Sequence, residues 1–272
     1  MAIAVHSAES WNSGGAYEAY GGRWSRRVAV EFVDWLDMRR DRRWIDIGCG
    51  TGGLTETIFA RCAPAAVAGI DPSAGYIAHA REHVEDPRAT FEVGNAEALP
   101  FPDGTFDVAV CGLVLNFVRD QERCIAEMKR VLQAGGTAAL YVWDYAGEMQ
   151  LMRYFWNAAV DLDPEAAALD QGQRFSVCKP EPLLAIFNEA GFVRVECTRF
   201  DIATVFKDFD DYWQPFLGGQ GSAPTYCAAL SNEQRSRLRD RLCATLPTGL
   251  GGTIRLSARA WAVRGLRPSE ME

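Results

Sequence analysis

Histidine is scarce in this chain, at three of 272 residues: His6, His79 and His83. A site that relies on histidine to carry protons is therefore not supported. His79 and His83 share a helical stretch where packing or solvation accounts for them, and only His6, in the N-terminal arm, is placed to fold over a pocket. Positive charge is also in deficit, with 28 Lys and Arg against 36 Asp and Glu and a formal charge of −8. No global basic field exists to draw in nucleic acid, so acidic polymers are disfavoured as partners. No run of ~18 apolar residues appears, and nothing is expected to span a membrane. The opening MAIAVHSAES lacks a basic stretch followed by a long apolar run, so no secretory leader is expected. Eight cysteines are present, yet no two stand as C-x-x-C, which argues against a zinc site; no metal is expected. They read as buried, reduced thiols of a cytoplasmic protein. No internal repeat or low-complexity linker divides the chain.

What is present is an ordinary globular balance, 48% hydrophobic and 24% charged. The first half alternates short apolar runs with helical patterns. Arg43–Ile47, Ala66–Asp71, Thr90–Val93, Phe106–Cys111 and Thr137–Trp143 show little alternation, as strands covered on both faces do. Between the last two, Asp120 is placed to cap a helix whose stripe is Cys124, Ile125, Met128, Val131 and Leu132, with Gly135-Gly136 to stop it. In the second half, Ala146–Leu162 and Glu181–Ala190 read as helices, with Gly191 ending the latter. Val193–Phe206 reads as a strand and Asp208–Leu217 as an aromatic helical piece. Ser231-x-x-Gln234 forms a capping box for a helix to about Ala244, and Thr253–Val263 reads as a final strand. The pattern predicts an α/β chain with a Rossmann-like, doubly wound, mostly parallel seven-stranded sheet. One antiparallel strand is expected near the C-terminal end, with a helical cap over a pocket. The organisation expected is one domain over 1–272. It has a helical arm (1–40), a binding core (41–145) and covering segments at 146–180 and 207–250.

The central signal is Asp46-Ile-Gly48-Cys-Gly50-Thr-Gly52-Gly53, directly after a strand and before a helix. Glycines let the backbone turn sharply and let a ligand approach the main chain. The amides of the helix start favour a carboxylate or other anionic group. Asp71, at the end of the next strand, is placed to accept hydrogen bonds from both hydroxyls of a ribose. These features fit two ligand classes, because Gly48, Gly50 and Gly53 also match the dinucleotide pattern G-x-G-x-x-G. Asp46 discriminates. An acid inside the strand attracts an ammonium and has no evident use beside a pyrophosphate. Gly94-Asn95-Ala96-Glu97 then offers an amide and backbone groups to an adenine edge.

The segments WIDIGCGTGGL, GIDPS, GNAEALPFPDGTFD and LQAGG, in that order, resemble the class I S-adenosylmethionine-dependent methyltransferases, and among them the quinone-biosynthesis group (methyltransferase type 11). Tyr20-Gly-Gly-Arg23-Trp24-Ser25 resembles that group's helical lead-in. The similarity covers about residues 17–143. It implies that Asp46, Gly48, Cys49, Gly50 and Gly52 form the methionine and ribose loop and that Asp71 binds the ribose hydroxyls. Pro72, Ser73 and Tyr76 would lie near the adenine, and Asn95, Ala96 and Glu97 at its edge. Cys111, Leu113 and Asn116 would flank the sulfonium and the acceptor. Arg23, with Tyr20, would meet the cofactor carboxylate. The family commonly has Asp where Asn95 stands, yet Asn still accepts through its carbonyl. It usually has Pro where Ala134 stands, which touches only a turn.

The resemblance implies methyl transfer from S-adenosylmethionine to a small-molecule acceptor, leaving S-adenosylhomocysteine. Such transfer is an in-line displacement that asks a protein mainly to align the reactants and exclude water. Asn116, Tyr17, Tyr20 and Tyr145 are the candidates to orient an acceptor. The aromatic residues of the late segments (Tyr154, Phe155, Trp156, Phe206, Phe209, Tyr212, Trp213, Phe216) are mostly core, with a minority left to line an apolar or aromatic acceptor pocket. Gly218–Ser222 reads as a flexible loop. Arg235, Arg237, Arg239 and Arg241 read as a solvated helix face rather than a nucleic-acid surface. Two alternatives stand beside the methyltransferase: a nicotinamide-dependent oxidoreductase, and a non-catalytic partner subunit that keeps the cofactor pocket.

Overall fold

The computed structural model describes residues 22–218 and 221–269. Helix α1 (Arg23–Leu36) buries Trp24, Val28, Phe32 and Leu36, four residues apart on one face, and ends at Asp37 in the left-handed region. Strand β1 (Arg43–Ile47) leads through the glycine loop into α2 (Gly53–Cys62). Strand β2 (Ala66–Asp71) is followed by α3 (Ala74–His83), capped by Ser73, whose Oγ accepts from the Tyr76 amide. Strand β3 (Ala89–Val93) is short, and β4 (Phe106–Gly112) runs into a 3-10 turn at Leu115–Phe117. Asp120 caps α4 (Gln121–Val131) through the Arg123 amide at 2.9 Å.

At the end of α4 the structure corrects the sequence reading. Gly135-Gly136 do not stop the helix. It closes at Val131, and Leu132 already begins β5 (Leu132–Trp143), pairing with Phe106 before the register shifts to Val108 and Thr137. The helix end needs no glycine because Arg267 donates to the carbonyls of Lys129, Arg130 and Leu132. The two glycines serve the irregular entry of β5 beside β4. A Cβ on Gly136 would stand 2.9 Å from the Gln133 carbonyl and 3.0 Å from that of Asp107.

Helices α5 (Gln150–Leu162), α6 (Gln171–Arg174) and α7 (Pro180–Glu189) precede the long strand β6 (Val193–Phe206). The aromatic piece is a short helix, α8 (Phe209–Trp213), that tightens into a 3-10 turn over Gln214–Leu217. Helix α9 (Ser222–Ala229) follows, then α10 (Asn232–Thr245), which carries the expected Ser231/Gln234 capping box. Strand β7 (Ile254–Leu266) closes the sheet.

The seven strands lie in the order β3-β2-β1-β4-β5-β7-β6. β7 runs antiparallel to both β5 and β6, and the remaining pairs are parallel. This is the expected architecture. The order reverses between β1 and β4, and such a reversal opens a crevice at the carboxyl ends of the strands. Beneath it, β4 and β5 carry fully buried residues on both faces: Val110 and Cys111, Ala139 and Leu140.

Candidate functional site

A cavity of about 390 Å³ lies at that reversal. One wall comes from the loops after β1 and β2: Asp46, Gly48, Cys49, Gly50, Thr51, Gly53, Leu54, Asp71, Pro72, Ser73 and Tyr76. The opposite wall is the end of β4 and β5: Gly112, Leu113, Val114, Phe117 and Tyr141, with Ser25 of α1 also lining the space. Its size suits a small ligand.

The glycine loop is shaped by close contact. Gly48 holds φ +73, and a Cβ there would stand 2.4 Å from Val114 Cγ2. Gly50 holds φ +53, yet among the described residues nothing lies within 4 Å of where its Cβ would be. Its open side is free for a ligand to meet the main chain. The Gly50 amide donates to Asp71 Oδ2 at 3.0 Å, and the Ser73 amide to Asp71 Oδ1 at 2.8 Å. Two backbone donors therefore fix that carboxylate across the neck between the two loops. Burial still raises its pKa, against the pull of both amides.

Asp46 is the electrostatic centre of the site. It is 1% exposed, and its Oδ2 accepts from Thr55 Oγ1 at 2.7 Å. Its Oδ1 is buried and has no hydrogen-bond partner among the described residues. Burial pushes its pKa up to about 7; the Thr55 hydrogen bond opposes the rise and the Asp71 charge adds to it. An orphaned carboxylate oxygen at a cavity wall calls for a cation or a donor. Burial also pushes the Cys49 thiol well above its usual range, so it lines the wall as a neutral group.

Of the residues singled out from sequence, the cavity brings together Asp46, Gly48, Cys49, Gly50, Asp71, Pro72, Ser73, Tyr76 and Leu113. The others lie elsewhere. Gly52 faces α3, where a Cβ would meet Val84 at 2.8 Å. Cys111 is fully buried inside β4. Asn95 spends its Oδ1 on the Glu97 amide at 2.9 Å, and Glu97 Oε1 accepts from the Asp120 amide at 3.0 Å. They and Ala96 shape the turn after β3 and do not line the cavity. Arg23 is paired with Asp211 at 3.0 Å and sandwiched by the rings of Trp24 and Phe206, at 4.4 and 4.9 Å. Asn116 is buried in the 3-10 turn, its Nδ2 without a partner among the described residues, and Tyr145 packs its ring on Phe175 at 5.5 Å. Neither lines the cavity. Tyr17, Tyr20 and His6 lie outside the described residues. His79 and His83 stack on each other at 3.9 Å.

Sequence reasoning missed Ser25, Gly112, Val114, Phe117 and Tyr141. Gly112 and Tyr141 are register partners on neighbouring strands. Their only sequence signal is a place near the end of an apolar run. Leu113, between Gly112 and Val114, holds a left-handed φ of 63, unusual for a branched side chain.

Fold and site together define an α/β protein with a small-ligand cavity at the sheet's reversal point and a buried carboxylate in its wall. The comparisons give the family. Residues 45–140 match the family described as "Methyltransferase domain". A ubiquinone/menaquinone biosynthesis C-methyltransferase UbiE from Methylobacterium nodulans is 31% identical over 170 residues, 57% of this chain and 68% of that protein. Its counterpart from Geobacter sulfurreducens is 36% identical over 123 residues, 43% of this chain and 46% of that protein. Among solved structures, Haemonchus contortus phosphoethanolamine N-methyltransferase 2 in complex with S-adenosyl-L-methionine superposes with a TM-score of 0.60 at 18% identity. It covers 94% of this chain and 57% of that one. The chain belongs to the S-adenosylmethionine-dependent methyltransferases. It spans about half the length of the first curated relatives it matches.

The site's residues fit that cofactor on their own chemistry. Asp46 Oδ1 is an unanswered acceptor for an ammonium, Asp71 presents a fixed carboxylate to a diol, and Gly50 leaves its backbone open. The dinucleotide alternative fails at the same atom, because Asp46 would face a pyrophosphate with a second negative charge. Among the described residues no helix is long and apolar enough to cross a membrane.

Proposed function

We propose that the chain transfers a methyl group from S-adenosylmethionine to a small, largely apolar acceptor by in-line displacement, releasing S-adenosylhomocysteine. The observation that carries this reading is Asp46 Oδ1, without a partner among the described residues, in a cavity whose opposite wall is mostly apolar. When bound, the cofactor supplies a methyl group already activated on a sulfonium. The chain's own residues do the rest. Asp46 accepts from the amino group, and Asp71 accepts from the sugar hydroxyls while held by the Gly50 and Ser73 amides. Leu113, Val114 and Phe117 keep water from the reacting end.

Relatives named for quinone biosynthesis favour a hydroquinone-like ring as the acceptor. The segments 146–180 and 207–250 then act as cover. Phe175 packs edge-on against the cavity residue Phe117 at 5.2 Å, and Arg174 donates to Ser222 Oγ at 3.1 Å. Eight free thiols, six of them buried, favour a reducing, cytoplasmic setting. The charge of −8 favours a small molecule over nucleic acid as partner. On the helix of arginines, Arg241 pairs with Asp161 and Arg235 donates to the Cys227 and Leu230 carbonyls, which supports a structural use.

Calorimetry with S-adenosylmethionine, S-adenosylhomocysteine and NADH tests the reading, followed by mass spectrometry of a panel of hydroquinones incubated with protein and cofactor. One-to-one binding of the two adenosyl compounds and a product heavier by one methylene is expected. Binding of NADH alone would overturn it. Cofactor binding with no methylated product from any acceptor would favour the partner-subunit alternative.

A further inference from the structure

We infer that His79 and His83 form a two-point site on α3 for a late first-row divalent cation, copper(II) before nickel(II) or zinc(II). The inference stands apart from the methyl-transfer reading. Four residues apart on one helix, the two side chains project from the same face. Their ring centroids lie 3.9 Å apart, with 17° between the planes. Two metal–nitrogen bonds of about 2.0–2.1 Å ask for ring nitrogens about 3 Å apart, so a small rotation of either ring closes the chelate. The cysteine spacing that argues against a zinc site has no bearing on this pair.

His83 is already oriented for the task. Its Nδ1 lies 2.8 Å from the His79 carbonyl oxygen. A carbonyl only accepts, so Nδ1 is the donor, and in the neutral ring the lone pair then sits on Nε2. Metal-ligating histidines are fixed in this way, the other ring nitrogen donating to a backbone carbonyl. His83 is exposed and His79 half-buried, so an ion reaches them from solvent. Imidazole suits the late first-row ions, and copper(II) heads their order of affinity. Among the described residues no group of three or more His, Cys, Asp or Glu is placed to hold a metal, so the other coordination positions fall to water. The helix concerned backs the glycine loop. A Cβ on Gly52 would stand 2.8 Å from Val84 and 3.5 Å from Ala80, and Tyr76 in the first turn lines the cavity. An ion held by both rings favours the folded last turn of that helix.

The test is a copper(II) titration of the full chain, read by electron paramagnetic resonance at one equivalent. The exposed Cys243 is replaced by serine in every protein, so that its thiol does not compete. This parent is expected to give a signal with two imidazole nitrogens, and to melt higher in millimolar nickel(II) than without it. H79Q and H83Q are each expected to lose the two-nitrogen signal and the nickel shift, while melting as the parent does without metal. Each should also lose at least roughly tenfold in copper affinity, as removal of one arm of a two-point contact does. H6Q is expected to keep both signal and shift. A parent that binds no copper or shows a single nitrogen ligand, a two-nitrogen signal that survives in H79Q and H83Q, or one that is lost in H6Q would overturn the assignment.

Discussion

Asp46 and Thr55 share a 2.7 Å hydrogen bond that satisfies one carboxylate oxygen and leaves the other buried without a partner among the described residues. Strand and helix thus hold the acid still, and among the described residues no cation is bonded to it. Burial pushes its pKa up to about 7. An ammonium bound there pulls the pKa back down, so binding must release a proton. Cofactor affinity is expected to fall about tenfold for each pH unit below ~7. Calorimetry at pH 6 in two buffers of different ionisation enthalpy should show close to one proton released per cofactor.

The same shift makes the empty protein sensitive to pH. A group whose folded pKa is raised above its unfolded value gives its full relative stability below the unfolded pKa. That stability is lost as pH climbs through the folded value. For Asp46 the window runs from 3.8 to about 7. Asp46→Asn keeps an acceptor for Thr55 and removes the charge. At pH 8 it should stabilise the unliganded protein by roughly 2–4 kcal/mol and weaken cofactor binding at least tenfold. Urea melts and calorimetry across pH 4–8 check both halves.

Two glycines of one loop should part company on substitution. Gly48→Ala forces a side chain into Val114 and is expected to cost the fold about 3 kcal/mol or more. Gly50→Ala pays only for its left-handed backbone, about 1–2 kcal/mol, because its Cβ meets open space. That methyl group enters the ligand's place, so Gly50→Ala should fold well and bind S-adenosylhomocysteine poorly. Thermal melts beside binding isotherms separate the two effects.

Arg23 should prove to be a structural latch. Its ion pair with Asp211 and its place between Trp24 and Phe206 tie α1 to α8 and β6. Arg23→Ala is expected to cost about 1–2 kcal/mol of stability and to leave cofactor affinity within about threefold. A double-mutant cycle with Asp211→Asn measures the coupling. A large affinity loss without a stability loss would return Arg23 to the cofactor carboxylate.

What the sequence makes visible here is local. Asp46, Gly48, Gly50 and Asp71 each sit in a short motif at a strand end, where residue type and spacing carry the geometry. Strand periods were equally plain, and β1, β2 and β6 keep their expected bounds. The glycine stop after α4 was misread because its true cap, Arg267, lies 136 positions beyond Val131 and meets it only through β7. Tyr141 and Gly112 become neighbours only through register, and the fate of Arg23 depends on a helix nearly 190 residues away. Single-sequence spacing contains none of these pairings.

A crystal structure of the chain with S-adenosylhomocysteine bound bears most directly on all of this. The account predicts the amino group within ~3 Å of Asp46 Oδ1, both ribose hydroxyls on Asp71, and the sulfur facing the wall of Leu113 and Tyr141. A ligand whose amino group lies away from Asp46, with that oxygen still unanswered, would contradict it.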